Sequence, residues 1–158
     1  MSQDFLYPVV SVPATNFTEA LTTGQASAMN NLYGVPPILS RRFLIKVIEI
    51  TTKENYAPQL QFFAAAAGVT TDPATDQFLG LWGFAQTDAV RIAGAGLYRY
   101  WTTLDEGIPY YDNDWLGAAN LNPPTLHCLL QNTGATSKSA GSSGSTKVTC
   151  WLQAMMGW

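Results

Sequence analysis

Behind a polar run rich in Gly, Ser and Thr, Thr133 to Lys147, stand eleven residues, VTCWLQAMMGW. They carry a strand pattern: Val148, Cys150, Leu152 and Ala154 alternate with Thr149, Trp151 and Gln153. A strand needs partners for its backbone donors and acceptors, so a lone strand is not a domain. This segment therefore returns to a sheet built upstream. The polar run becomes a loop inside one fold, flexible and solvent-facing over residues 134–146, instead of a linker between two domains.

The same period of two recurs upstream. RRFLIKVIEITTK is rich in β-branched residues, with Phe43, Ile45 and Val47 on one face and Leu44, Lys46 and Ile48 on the other. In APQLQFFAAAAG, Leu60, Phe62, Ala64 and Ala66 alternate with Gln59 and Gln61; Pro58 and Gly68 leave little room for a helix. QFLGLWGFAQ places Phe78, Trp82 and Phe84 on one face. AVRIAGAGLYRYWTT reads as a strand with Val90, Ile92, Tyr98 and Tyr100 opposite Arg91 and Arg99. Gly94 and Gly96 predict a bulge, a bend or a close backbone approach in its middle. LDEGIPYYDNDWLGAANLNPP is turn-rich, and TLHCLLQNT alternates Leu126, Cys128 and Leu130 with His127, Leu129 and Gln131. Seven to nine strands without a long helix predict an all-β, antiparallel β-sandwich or barrel, here over residues 41–158. Long irregular connections suit a Greek-key or jelly-roll path between two sheets.

Residues 1–40 differ. Pro8, Pro13, Pro36 and Pro37 punctuate them, and the first basic residue is Arg41. They are expected to form an extended N-terminal arm lying on its own domain or on a neighbour. Phe5, Leu6, Tyr7, Val9 and Val10 are costly to leave in water.

Only 12% of the 158 residues are charged, about half of the roughly 25% of an average domain. The net charge is −3 and no basic block exists, which argues against direct nucleic-acid binding. MSQDFLYPVV lacks the positive and apolar regions of a signal peptide, and no apolar run is long enough to span a membrane. Cys128 and Cys150 sit in apolar strands and read as buried thiols, with a disulfide as the alternative.

Catalytic signatures are missing. His127 lies in an apolar strand, no G-x-S-x-G occurs, and the serines of GSSGS sit on a loop tip. Two cysteines and one histidine lack zinc spacing. Asp105, Glu106, Asp112, Asn113 and Asp114 offer hard oxygens that suit calcium, but they read as a solvated, turn-forming loop, with calcium as the alternative. No phosphate-binding motif is present. The expectation is a protein without catalytic residues, cofactor or metal. Aromatics carry more signal: Tyr98, Tyr100, Trp101, Tyr110, Tyr111 and Trp115 crowd one region, and Trp158 ends the apolar stretch MMGW. Phe5, Tyr7, Tyr110, Tyr111, Trp115 and Trp158 are the candidate partner contacts.

A non-basic arm, one β-sandwich, low charge and long polar loops together make the chain resemble single jelly-roll virion proteins, which build shells, vertices and spikes of icosahedral viruses. In that class RRFLIKVIEI looks like an early core strand and KVTCWLQAMM like the closing strand pairing near it. The resemblance implies a structural virion protein, made in the host cytoplasm, whose partners are itself as a homo-oligomer and other virion proteins, as in a tailless bacteriophage. The arm departs from RNA-packaging members, whose arms are basic. The alternative is a carbohydrate- or receptor-binding β-sandwich, with a host receptor or glycan held by the aromatic and acidic loops.

Overall fold

The computed structural model describes residues 6–11, 30–33, 42–65, 77–111, 125–135 and 146–154. They form nine strands: β1 Leu6–Ser11, β2 Asn30–Tyr33, β3 Arg42–Thr52, β4 Pro58–Ala65, β5 Gln77–Gly83, β6 Val90–Ile92, β7 Leu97–Tyr111, β8 Thr125–Asn132 and β9 Thr146–Ala154. A single 3-10 turn, Gln86–Asp88, is the only helical element among the described residues. Every strand pair is antiparallel, and the hydrogen-bonded order is β5-β4-β8-β2-β1-β9-β3-β7-β6.

This order folds into two antiparallel sheets. Between β1 and β2 only Val10–Tyr33 and Ser11–Leu32 pair. On one side lies β2-β8-β4-β5, on the other β1-β9-β3-β7-β6. Their inner faces share one core. Leu60, Phe62, Leu126, Cys128 and Leu130 of the first sheet pack with Ile45, Ile48, Ile50, Tyr100, Val148, Cys150 and Leu152 of the second. The result is an all-β sandwich whose apolar sides interdigitate while alternate residues point outward.

The segment after the Gly/Ser run does return to the sheet. β9 is interior, pairing with β3 from Phe43–Ala154 to Thr52–Thr146 and with β1 from Leu6–Gln153 to Val10–Thr149. Its alternation is as read, with Val148, Cys150 and Leu152 buried in the core. Residues 136–145 lie outside the described residues, and Thr146 is already buried strand. Within the segment expected to be an arm, Leu6–Ser11 and Asn30–Tyr33 are strands of the sandwich itself; residues 12–29 and 34–41 lie outside the described residues.

Three strands depart from simple alternation, each for a local reason. In β3 the pairing slips at Lys46, because Ile45 pairs with Ile108 while Val47 pairs with Thr103. Lys46 is a bulge residue facing the longer excursion Leu104–Gly107 of β7, and its Nζ donates to the carbonyl of Asp105 at 2.5 Å. Gly107 has φ of 80°, and a Cβ there would come within 3.1 Å of the Ile45 carbonyl oxygen. The bulge reverses parity. Phe43 and Ile45, then Ile48, Ile50 and Thr52, point inward, whereas Val47, Glu49 and Thr51 point outward. The expected grouping of Val47 with Ile45, and of Ile48 with Lys46, is therefore wrong beyond residue 46.

In β5, Phe62 pairs with Gly80 but Phe63 with Phe78, so Leu79 is the extra residue. Leu79 packs on the core, and a Cβ on Gly80 would meet the Ile108 side chain. Phe78 is thereby turned to the outer side with Leu81, not placed with Trp82 and Phe84 as expected. Finally, AVRIAGAGLYRYWTT is a hairpin and not one strand. Gly94 and Gly96 adopt positive φ, and Val90–Arg99, Arg91–Tyr98 and Ile92–Leu97 pair across the turn. Val90 thus shares a face with Arg99, contrary to the expected alternation. β7 then continues through Asp105 and Glu106 to Tyr111, part of the stretch expected to be turns.

Candidate interaction surfaces

The ionisable side chains buried in the described interior are Tyr56, Tyr100, His127, Cys128 and Cys150. Tyr100, fully buried at the centre of β7, points to the turn between β3 and β4. Its hydroxyl accepts from the Tyr56 backbone N–H at 3.1 Å and lies 2.9 Å from Asn55 Oδ1 and 2.6 Å from the Tyr56 carbonyl. Burial raises its pKa, with the Tyr56 backbone bond opposing. Cys128 and Cys150 are free and buried, one from each sheet. Burial pushes both thiols well above the ordinary range, and Cys128 is pushed further by Cys150. His127 is buried on the outer side of β8, so it is a packed residue.

On the described surface two regions stand out. The first is β5. It ends the strand order, so among the described strands it has one neighbour, β4. Edge strands are ordinarily guarded by charge, yet QFLGLWG carries none. Phe78 is 53% exposed and Leu81 49% exposed on its outer side, and Trp82 is partly exposed on the other. Phe78 stacks edge-on against Phe63 with ring centroids 5.6 Å apart, and Trp82 against Phe84 at 6.5 Å. The rings are therefore held in place by partners beneath them.

The second region is the outer face of β9, β3 and β7. Glu49 pairs across the strands with Thr149 on β9 and Trp101 on β7. Val47, one step along, pairs with Trp151 and Thr103. Arg99, two residues from Trp101, directs Nε and Nη2 to Glu49 Oε2 at 2.8 and 2.5 Å. Trp101 beside this pair is 51% exposed. Leu6 and Pro8 of β1 are exposed on the same side, next to Gln153 and Trp151.

The expected contact residues fall out as follows. Tyr7 pairs with Leu152, Tyr110 with Phe43 and Tyr111 with Arg42, which places all three in paired strands and not in loops. Phe5, Trp115 and Trp158 lie outside the described residues, as do Asp112, Asn113 and Asp114. Asp105 and Glu106 are exposed on the β7 excursion. Sequence reasoning missed Phe78, Leu81 and Trp101 as surface residues. Trp101 was within reach, since it follows the inward Tyr100 and shares the parity of Arg99. Phe78 was not, because a bulge set by packing at Leu79 and Gly80 decides its side. Among the described residues no helix is long and apolar enough to cross a membrane, and no group of three or more metal-ligating side chains forms.

Comparison with family models, curated proteins and solved structures finds no match to this chain.

Proposed function

We propose that the chain is a structural virion protein with a jelly-roll sandwich, assembling through subunit contacts into a capsid shell, vertex or spike. The observation that carries this reading is the strand order. Leaving aside the short edge strand β6, one sheet runs β2-β8-β4-β5 and the other β1-β9-β3-β7. The chain passes from one sheet to the other at every connection except the hairpins β4 to β5 and β6 to β7. Such wrapping of strand pairs around two sheets is how a jelly roll is built, and viral capsid and lectin domains share that architecture.

The surface of β5 supports assembly as the use of the fold. In a two-fold contact the strand meets its own copy, and any charge on it without an opposite partner would be buried unpaired. The uncharged β5, with Phe78 and Leu81 outward, meets no such penalty.

Light scattering and electron microscopy of the purified full chain test the reading. Discrete oligomers or particles are expected, with Leu81→Lys shifting them to smaller species while the fold is retained. A monomer at all concentrations and ionic strengths overturns it. Truncation is a poor test here. Leu6–Ser11 pairs along β9, so deleting residues 1–11 is expected to destabilise the sandwich as well as any assembly.

A further inference from the structure

We propose that the outer face of β7 and β3 is a sugar-binding site, with Trp101 as the stacking platform and the Glu49–Arg99 pair as the group that reads ring hydroxyls. This goes beyond assembly and is independent of it.

Trp101 is both fixed and open to solvent. It sits in mid-strand on a sheet face, where the backbone is fixed by pairing with Glu49. Half of its surface nevertheless faces water. Indole presents a broad apolar face with an electron-rich π-system. The apolar C–H face of a pyranose ring is a flat, uncharged match to it.

The second observation is the incomplete ion pair. Both hydrogen bonds from Arg99 land on the same oxygen, Oε2 of Glu49. Among the described residues, Glu49 Oε1 and the remaining guanidinium N–H groups make no hydrogen bond. The pair thus offers an acceptor and donors side by side, next to the indole, in a geometry that each partner fixes for the other. Adjacent hydroxyls on a sugar ring, each both donor and acceptor, complement such a fork.

Size and charge decide between ligand classes. A half-exposed indole offers about 100 Å², far below the roughly 800 Å² per partner of a stable protein interface. One such ring matches the footprint of a sugar, whereas a protein partner would need many more contacts across the face than this ring supplies. Single-stranded nucleic acid also stacks bases on aromatics, but it needs a positive groove to follow the backbone. Here Glu49 cancels Arg99, Lys147 is the next exposed cation in the same cross-strand register, and the chain as a whole carries −3. A small polyhydroxylated ring fits what remains.

Tryptophan fluorescence and NMR titrations of the full chain with cello-, malto-, chito- and lacto-oligosaccharides and sialyl-lactose test this. For one ring on an open face, a Kd on the order of 1 mM is expected. Trp101→Ala should weaken binding at least about tenfold, and Glu49→Gln, which keeps the shape, about threefold or more. Trp82→Ala, on β5, should leave binding unchanged. Unchanged melting of each variant separates loss of the site from loss of the fold. No binding of any of these sugars at tens of millimolar overturns the proposal. So does binding that survives Trp101→Ala, binding lost equally in Trp82→Ala, or tighter binding of oligo-dT than of any sugar. The result stands apart from assembly, because Leu81→Lys chains, assembled or not, should bind equally.

Discussion

The two faces of β7 alternate residue by residue, yet they are opposite in character. Inward, Tyr100 is fully buried and its one hydroxyl is engaged by Tyr56 and Asn55. Outward, Trp101 is half in water beside an ion pair with hydrogen-bonding capacity to spare. Both are large aromatics in the same well-paired strand. What separates them is only the direction in which the pleat aims them. Inner aromatics are therefore to be judged by stability and outer ones by binding.

Replacing the inner ring should have the largest effect. Tyr100→Ala leaves a cavity among Tyr56, Phe84 and the core and is expected to cost about 3–5 kcal/mol in urea unfolding. Tyr100→Phe keeps the ring but strands the buried Tyr56 N–H, and about 1–3 kcal/mol should be lost. An inner face that tolerates Tyr100→Ala would erase the contrast.

Alkaline pH probes the same interior. Burial raises the pKa of Cys128 and Cys150 above the unfolded values, which lie near 8.5. Above that pH the unfolded chain has released protons that the folded chain still holds. The stability contributed is complete below about pH 8.5 and is lost as pH rises, by up to about 1.4 kcal/mol per unit for each thiol. Urea melts from pH 7 to 10.5 should show this slope, and Cys128→Ala with Cys150→Ala should flatten it whatever happens at pH 7.

The outer face should respond least in stability. Trp101→Ala is expected to change unfolding by about 0.5 kcal/mol or less. Glu49→Gln should cost about 0.2–1 kcal/mol, since Arg99 is largely in solvent. Double-mutant analysis of Glu49 and Arg99 in low and high salt sharpens the point: the coupling should shrink as salt rises. A large loss on Trp101→Ala would mean that this ring is structural after all.

How far the sequence revealed this contrast depends on the strand. For β8 and β9, strict alternation announced both the strand and its inward side, because neither carries a bulge residue of its own: the β4–β8 ladder is unbroken, and the slip in the β3–β9 ladder falls at Lys46 of β3. For β3 and β5, apolar residues at Val47, Ile48, Phe78 and Leu79 suit either side. There the bulges at Lys46 and Leu79 are settled by partners distant in sequence, Gly107 and Ile108 among them. The hairpin at Gly94 and Gly96 was visible as a disturbance, but its sign came from positive φ at both glycines. Tyr7, Tyr110 and Tyr111 looked like loop or arm residues, yet they lie in paired strands.

The interior position of β9 has a consequence for synthesis. Ile45 pairs with Leu152, and Leu6 with Gln153. Both neighbours of β9 leave the ribosome at least about a hundred residues before it does. At about 5–20 residues per second they wait roughly 5–20 s with open edges. The second sheet has a gap at its centre for that whole interval, and no amount of earlier structure can fill it. Closure of this sheet therefore waits for β9 and is slow, because its decisive contacts are distant in sequence. A cell making this protein in quantity must keep two unpaired apolar strands apart from those of neighbouring nascent chains until the last strand slides between them.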